Sequence, residues 1–184
     1  TISQPKPDSR DIVDVCDMLS KAQRPLIIAG GQIGGQHGRE ALRMVSETWD
    51  VPVATSWRHQ DLFDINHPNF SCHLAFNMPP IFKDTLNQSD LIIAIGTRLG
   101  DVVTQGYKLP SAQQPSQKLI HIYNDAEPIG NVFDTDLAII ADATETLRAI
   151  GKINAPEPPK NRNDWIAKAH ALSADKFVWD MQEA

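Results

Sequence analysis

The sequence has no apolar run of about 18 residues, the length that a helix needs to cross a bilayer. Its opening, TISQPKPDSR, has neither the basic region nor the apolar region of a secretory signal peptide. It also lacks an initiator Met, so we expect the chain to be processed or cut from something longer. These absences exclude a membrane from the predicted partners.

Cysteine is scarce as well. The two cysteines, Cys16 and Cys72, form no C-x-x-C pair, and the pattern places the first in a helix and the second in a loop. This usage predicts two inert thiols in a reduced, cytoplasmic protein. The spacing of His67 and His73 matches no common zinc pattern, so we interpret them as surface-loop histidines and predict no metal site.

Positive charge is in the minority. Lys and Arg number 17 against 23 Asp and Glu, for a formal net charge of −6, and no Lys/Arg-rich run interrupts this balance. Nucleic acid is therefore excluded from the predicted partners. A length of 184 residues with 41% hydrophobic residues is enough for one globular domain with a proper core.

The chain does contain an alternation of helical and strand-like segments. Asp8 to Ala22 has the apolar spacing of an amphipathic helix that Asp8 or Ser9 can cap. A polar loop is expected from the second strand to about Asn77. Continuous apolar runs predict strands in PLIIAG, VPVATSW (51–57), DLIIAIG (90–96), KLIHIY (118–123) and DLAIIAD (136–142), and apolar spacing predicts helices over 38–49, from Pro79 and Pro80 to Leu86, and over 144–153.

Strands that alternate with helices in this way form βαβ units with right-handed crossovers. The sequence therefore predicts an α/β fold with a parallel sheet that is covered by helices on both faces. After Ile153 the segment NAPEPPKNRND is rich in proline and charge, and Trp165 to Met181 has helical character. We expect one domain over 1–153, followed over 154–184 by a linker and helix that lead to a further domain.

The first strand runs into a glycine-rich loop, in PLIIAGGQIGGQHGREAL. Its glycines, at Gly30, Gly31, Gly34, Gly35 and Gly38, fit neither the G-x-G-x-x-G dinucleotide fingerprint nor the Gly-Lys-Ser/Thr phosphate loop. Glycines still permit close backbone approach, and the helix that follows offers free N–H groups to an anion. A phosphate-binding loop and a simple strand-to-helix turn both remain open.

Two further candidates follow other strands. Thr97 and Arg98, in IGTRLGD, lie at the carboxyl end of a strand, where open α/β sheets bind ligands. Arg98 could pair with a phosphate or stack on an adenine, or it could be a surface Arg bonded to a carboxylate. Asp125, in HIYNDAEPIG, could accept hydrogen bonds from a ribose, or it could form a turn with Asn124.

The order of PLIIAGG, VPVATSW, DLIIAIGTRLGD, KLIHIYNDAEPIG and LAIIADATETL resembles the central domain of thiamine diphosphate-dependent enzymes. This family includes acetolactate synthases, glyoxylate carboligase, benzoylformate decarboxylase and oxalyl-CoA decarboxylase, and the resemblance covers about Ile12 to Ile153. It implies a three-layer, Rossmann-like sandwich with a six-stranded parallel sheet, of the kind shared with sirtuins and electron-transfer flavoproteins. It also implies flanking pyrimidine-binding and pyrophosphate-binding domains in the same polypeptide.

The resemblance implies that thiamine diphosphate and Mg²⁺ are held by the flanking domains. A glutamate of the first domain activates the cofactor, and a Gly-Asp-Gly motif with a downstream Asn in the last domain binds the metal and the diphosphate. Here Gly100 and Asp101 are followed by Val102, and Asn131 lies downstream. We interpret this partial match as a coincidence, and we predict neither catalytic nor metal-binding residues in this chain.

Flavin-containing relatives hold FAD in the central domain, oxalyl-CoA decarboxylases hold ADP there, and some decarboxylases hold nothing. Ala75 and Met78 stand where flavin relatives have glycines, and Tyr123 stands in place of the first Asp of the family's D-I-D-P. These departures favour an empty or adenine-nucleotide site over a flavin site. The predicted cofactor-binding residues are Gly30, Gly31, Gly34, Gly35, Thr97, Arg98 and Asp125.

Three functions follow as alternatives. The first is the non-catalytic central domain of a thiamine diphosphate-dependent 2-oxo acid decarboxylase or carboligase, a lyase or transferase. In this homo-oligomer the domain holds the two catalytic domains at the right separation and supports dimers. The second is a free-standing module that binds FAD or an adenine nucleotide. The third, a sirtuin-like hydrolase, ranks last because the sequence has no four-cysteine zinc set.

Overall fold

A computed structural model describes residues 4–76, 78–110 and 117–174. Its centre is one sheet of six strands in the order β3-β2-β1-β4-β5-β6, and every neighbouring pair is parallel. The strands are β1 (Pro25–Ala29), β2 (Val53–Thr55), β3 (Phe70–His73), β4 (Leu91–Ile95), β5 (Lys118–Tyr123) and β6 (Leu137–Ile140).

Five α-helices accompany the sheet. They are α1 (Ser9–Lys21), α2 (Gly35–Trp49), α3 (Pro80–Leu86), α4 (Ala143–Ile150) and α5 (Arg162–Ala174). The predicted cap of the first helix is confirmed, because the Asp8 carboxylate accepts a hydrogen bond from the backbone N–H of Arg10 at 2.8 Å. No helix in the described part of the chain is long and apolar enough to span a membrane.

The sheet separates two apolar layers. All five residues of β1 and all five of β4 are buried, which explains their unbroken apolar sequences. Ile27 and Ile93 face a layer that includes residues of α1, α2 and α4, whereas Ile28 and Ile92 face a layer that includes Leu86 of α3 and Leu172 of α5. The predicted three-layer α/β fold with a six-stranded parallel sheet is confirmed.

The predicted loop up to about Asn77 was wrong in one part, because Phe70–His73 form β3. The tetrapeptide FSCH is short and half polar, and therefore gives no apolar run. Ser71 is nevertheless buried, and its hydroxyl donates to the carbonyl of Ala169 in α5 at 3.1 Å. Cys72 consequently lies in a buried strand rather than in the predicted loop.

The segment after Ile153 returns to the sheet. The indole N–H of Trp165 in α5 donates to the carbonyl of Pro25 in β1 at 2.6 Å, and His170 Nδ1 lies 2.9 Å from the carbonyl oxygen of Phe70 in β3. Helical structure is thus observed from Arg162 to Ala174, and the rest of the predicted helix, up to Met181, lies outside the described residues. The predicted division of the chain at Ile153 stays a prediction.

Candidate functional site: a crevice at the carboxyl ends of β1 and β4

The strand order reverses between β1 and β4, because β2 and β3 lie on one side of β1 and β4 to β6 lie on the other. In open α/β sheets this switch point opens a crevice beyond the carboxyl ends of the strands, where ligands bind. We call the cleft found there the crevice; its volume is about 440 Å³. It is lined by Gly31, Gln32, Ser56, Trp57, His59, Gly96, Thr97, Arg98, Gly100, Asp101, Val102, Val103 and Tyr123.

Gly30 brings the loops after β1 and β4 into direct contact. Its N–H donates to the carbonyl of Ile95 at 2.9 Å. Two residues later, the N–H of Gln32 donates to the carbonyl of Gly96 at 3.1 Å. A Cβ at Gly30 would lie 2.4 Å from the carbonyl oxygen of Gly96 and 2.6 Å from the Cα of Thr97. Since backbone on the β4 side cannot give way, this close approach alone requires glycine at position 30.

Gly31 has a different neighbour. A Cβ at this position would lie 2.1 Å from Nε2 of His59, so the imidazole fills the space that a side chain at Gly31 would need. His59 follows β2, and sequence reasoning missed it. A histidine at the start of a polar loop gives no signal of this contact, which depends on how the loops after β1 and β2 meet.

Gly34 and Gly35 lie further along the same loop, outside the lining of the crevice. Gly34 is the N-cap of α2 and provides no side chain to cap the helix, and Gly35 has a φ of +63° that favours glycine. A Cβ at either position would meet open space. These two of the predicted residues are therefore set apart from Gly31, Thr97 and Arg98, which line the crevice together.

Arg98 is turned towards the loop after β5. Its guanidinium lies 3.5 Å from the Glu127 carboxylate, with both side chains mostly exposed. The hydrogen bond with the phenol of Tyr123, followed by the negative charges nearby, raises the pKa of Arg98. In this arrangement Arg98 has the surface ion pair that was one of its two interpretations, and it still borders the crevice.

Thr97 and Asp125 have local hydrogen bonds. The hydroxyl of Thr97 accepts from the N–H of Leu99 at 3.3 Å, and its carbonyl accepts from Nε2 of the buried His121 at 2.9 Å. The Asp125 carboxylate accepts from the N–H of Glu127 at 3.0 Å, which is the turn that was the alternative to a ribose contact. Asp125 does not line the crevice.

Trp57 is the largest aromatic side chain on the crevice wall, and it too was missed. Its ring stacks on His73 with centroids 6.1 Å apart, meets Phe76 edge-on at 5.0 Å, and has the Arg58 guanidinium 5.9 Å from its centroid. Its position two residues after β2 was the available signal, since the carboxyl ends of parallel strands share one edge of the sheet.

The two cysteine thiols do not contribute a reactive group to the candidate site. Burial raises the pKa of Cys72 to about 12 and that of Cys16 to about 11. Since only the thiolate is a nucleophile, both side chains are protonated and unreactive at neutral pH, which supports the prediction of inert thiols.

The residues do not fit thiamine diphosphate with Mg²⁺. Val102 lines the crevice where the family motif has its second glycine, and the Asn131 amide donates to the carbonyl of Glu127 in its own turn. Among the described residues, no group of three His, Cys, Asp or Glu side chains could hold a metal ion. The similarity of Gly100-Asp101 and Asn131 to a metal-binding motif therefore gains no support from the geometry.

A flavin also fits poorly beside Ala75 and Met78. Met78 is 6% exposed and packs in the apolar layer of α3 and α5. Gln105, in the loop after β4, donates its side-chain N–H to the carbonyl of Ala75 at 2.6 Å and accepts from the N–H of Met78 at 3.3 Å. The segment that is glycine-rich in flavin relatives is thus tied to the neighbouring loop by side chains.

Comparison with known proteins gives one family match and many relatives. The model for the central domain of thiamine pyrophosphate enzymes matches residues 12–150. The probable acetolactate synthase large subunit of Methanocaldococcus jannaschii is 26% identical over 155 residues, which cover 84% of this chain and 26% of that protein. The acetolactate synthase large subunit of Corynebacterium glutamicum is 30% identical over 175 residues, which cover 91% and 27%.

The sulfoacetaldehyde acetyltransferase of Rhodobacter capsulatus is 25% identical over 185 residues, which cover 100% of this chain and 31% of that protein. The chain thus spans between a quarter and a third of the length of these three relatives. The family match extends over most of the chain and agrees with the fold, and the resemblance predicted from the sequence is confirmed. The chain belongs to the central-domain family of thiamine pyrophosphate enzymes.

Proposed function

We propose that this chain is the non-catalytic central domain of a thiamine diphosphate-dependent 2-oxo acid decarboxylase or carboligase. The observation that carries the proposal is the family match over residues 12–150, on a chain that spans only 26% of a probable acetolactate synthase large subunit. The pyrimidine-binding and pyrophosphate-binding domains of the same polypeptide would then flank residues 1–153, and 154–184 would lead towards the second of them.

The internal bonding of the loops that follow β4 and β5 supports a structural role. Arg98 is paired with Glu127, the Asp125 carboxylate closes a turn, and the Thr97 carbonyl receives His121. These polar groups hold the loops of the sheet edge in place. Thiamine diphosphate and Mg²⁺ would be bound by the flanking domains, which this domain would hold at their working separation in a cytoplasmic homo-oligomer.

Turnover by the isolated chain tests the proposal. The 184-residue chain is supplied with thiamine diphosphate, Mg²⁺ and pyruvate, and CO₂ release is measured beside a full-length acetolactate synthase as the positive control. We expect release by the full-length enzyme and none above background by the chain. Release that depends on both the chain and thiamine diphosphate would overturn the non-catalytic role.

A second candidate, an adenine mononucleotide in the crevice, is favoured by one observation. The wall combines an aromatic ring, Trp57, with a cation, Arg98, at the switch point of the sheet. Such a pair suits a base and a phosphate. Mass spectrometry of small molecules released by denaturing the purified chain tests this candidate: a stoichiometric adenine nucleotide supports it, and an empty protein that also fails to bind added ADP contradicts it.

A further inference from the structure

The contact between His59 and Gly31 is the starting point. Gly31 is one of two adjacent glycines in the loop that, at a switch point, would carry the phosphates of a dinucleotide. The side of Gly31 where a Cβ would project holds the imidazole of His59, with Nε2, Cε1 and Cδ2 all within 2.8 Å of the Cβ position. Nε2 is the nearest of the three, so the Nε2 end of the ring occupies the place of a side chain at Gly31.

His59 is held in this place by its own loop. Its Nδ1 lies 2.8 Å from the carbonyl oxygen of Trp57 and 3.3 Å from the hydroxyl of Ser56. A carbonyl oxygen only accepts hydrogen bonds, so Nδ1 donates to Trp57, and Nε2 is the ring atom nearest to Gly31. The backbone N–H of His59 donates to the carbonyl of Ser56 at 3.0 Å, and the N–H of Ser56 donates to Ala29 in β1 at 2.8 Å.

A second contact closes the other side of the loop. The Gln32 side chain accepts from the backbone N–H of Asn124 at 3.1 Å, and its amide donates to the Asn124 side chain. Asn124 follows β5, and β4 lies between β1 and β5. The amide pair therefore crosses the carboxyl end of β4 and joins two loops that belong to non-adjacent strands.

Three of the loop's backbone N–H groups are also engaged in hydrogen bonds. The N–H of Gly30 donates to Ile95, that of Gln32 to Gly96, and that of Ile33 to Gly30, at 2.9, 3.1 and 3.0 Å. In a dinucleotide-binding loop, the backbone approaches the pyrophosphate closely and backbone N–H groups are directed at it. Here the same stretch of chain is bonded to the loop after β4 and to itself.

We propose that His59 is a built-in occupant of the crevice, and that position 31 is glycine in order to receive the imidazole rather than a phosphate. The His59 ring and the Gln32–Asn124 pair close the β1 loop to a pyrophosphate-bridged dinucleotide such as FAD. The space beside Trp57 and Arg98 stays open. If a mononucleotide binds, this inference restricts it to the space beside Trp57 and Arg98, but the inference does not depend on such binding.

A double-mutant cycle between Gly31→Ala and His59→Ala tests the contact without any ligand. The equilibrium constant of unfolding is measured by urea titration of the 184-residue chain. The φ of Gly31 is outside the positive range, so the backbone tolerates alanine, and the three atoms nearest to an added Cβ all belong to the imidazole. We expect Gly31→Ala to favour unfolding about tenfold in the wild-type background, through the displaced hydrogen bonds of His59, and less than about twofold beside His59→Ala.

Two matched controls belong to the cycle. Gly34→Ala adds the same methyl group at the N-cap of α2, where a Cβ meets open space, and its small cost should be the same with and without His59→Ala. His37→Ala removes a mostly exposed histidine of α2 and should not couple to Gly31→Ala. If Gly31→Ala fails to fold, the folded yield of the double variant is compared with it: recovery supports the proposal, and no recovery overturns it.

An equal effect of Gly31→Ala in both backgrounds, or no effect in either, would also overturn the proposal. A titration of the wild-type chain with FAD, followed by flavin fluorescence, gives the independent test. We expect no saturable change at micromolar FAD. Saturable binding of FAD in that range would show that His59 does not close the loop, whereas it would leave the proposed role beside the catalytic domains untouched.

Discussion

Among single residues, Arg162 makes the most far-reaching contacts. It is only 2% exposed, at the start of α5, and its guanidinium donates to the carbonyl of Trp49 at 2.9 Å, to that of Leu19 at 2.7 Å and to that of Ala22. These carbonyls terminate α2 and α1, where backbone acceptors have no partner within the helix. Burial lowers the pKa of Arg162, and the charges of Asp50 and Asp90 oppose this effect.

We expect Arg162→Met to lower the free energy of unfolding by about 2 kcal/mol, because buried carbonyls at two helix ends lose their donors while the apolar packing is largely kept. Arg148→Met is the matched control. Arg148 is half-exposed and paired with Glu145 on α4, and its loss should change stability by less than about 0.5 kcal/mol. Urea unfolding of both variants measures the difference, and equal losses would contradict the role of Arg162.

His121 and His73 contribute to the pH dependence of the domain's stability. Burial lowers the pKa of His121 from 6.5, and burial has the same effect on His73. Below pH 6.5 the unfolded chain therefore binds more protons than the folded chain. The stability that the neutral, buried histidines contribute is fully present above that pH and is lost as the pH falls through their lowered pKa values. We expect a slope of at most about 1.4 kcal/mol per pH unit for each such group.

The variant His121→Gln should reduce the slope of stability against pH, since only His73 of the two histidines then remains to contribute to it. The measurement is the urea midpoint of the wild-type chain and the variant between neutral pH and the acid limit of folding. An unchanged slope in the variant would mean that His121 is not held neutral by its burial.

At the scale of elements, the packing of α5 against the sheet was not predicted from the sequence. It contacts β3 through the Ser71–Ala169 hydrogen bond and β1 through Trp165, and Leu172 is buried in the layer below the sheet. A chain cut after Ile153 would lose these contacts together with Arg162. Trp165 alone, which is 3% exposed, fills space whose loss is costly.

We therefore expect a chain ending at Ile153 to be less stable than one ending at Ala174 by at least about 4 kcal/mol, or to aggregate. Urea titration followed by circular dichroism compares the two. Equal midpoints would show that residues 154–174 contribute nothing to folding, and would support the division at Ile153 that the composition predicts.

The sequence indicated the elements whose signal is local. The unbroken apolar runs of β1 and β4 can only be buried on both faces, and the acidic N-cap and apolar spacing of α1 are properties of neighbouring residues. β3 was missed because FSCH is too short and too polar to show a period. The attachment of α5 was missed because Arg162, a charged residue after a proline-rich stretch, indicates a solvated linker until its three carbonyl partners are known.

The same difference between local and distant signals applies to the candidate site. Gly31, Thr97 and Arg98 could be predicted to meet, because all follow strands of one parallel sheet. Whether a glycine admits a ligand or a side chain depends on what stands opposite it, and the imidazole of His59 comes from a loop 28 residues away (59 − 31 = 28). No local pattern indicates such a partner.

At the scale of the whole molecule, several large apolar side chains are exposed. Phe76 is 61% exposed, Ile81 is 53% exposed, and Ile140 is 51% exposed on β6, the last strand of the sheet. An open sheet edge with exposed apolar residues favours association between chains. We expect the weight-average mass from light scattering to rise with concentration, and less so for Ile140→Lys; a monomer at all concentrations would contradict this.

The proposed non-catalytic role requires that this domain bind no thiamine diphosphate by itself. The most direct test is isothermal titration calorimetry of thiamine diphosphate into the 184-residue chain in the presence of Mg²⁺. We expect no saturable heat, because Asp101, Val102 and Asn131 do not form a metal site and no other described group replaces them. Saturable, Mg²⁺-dependent binding of thiamine diphosphate would contradict it.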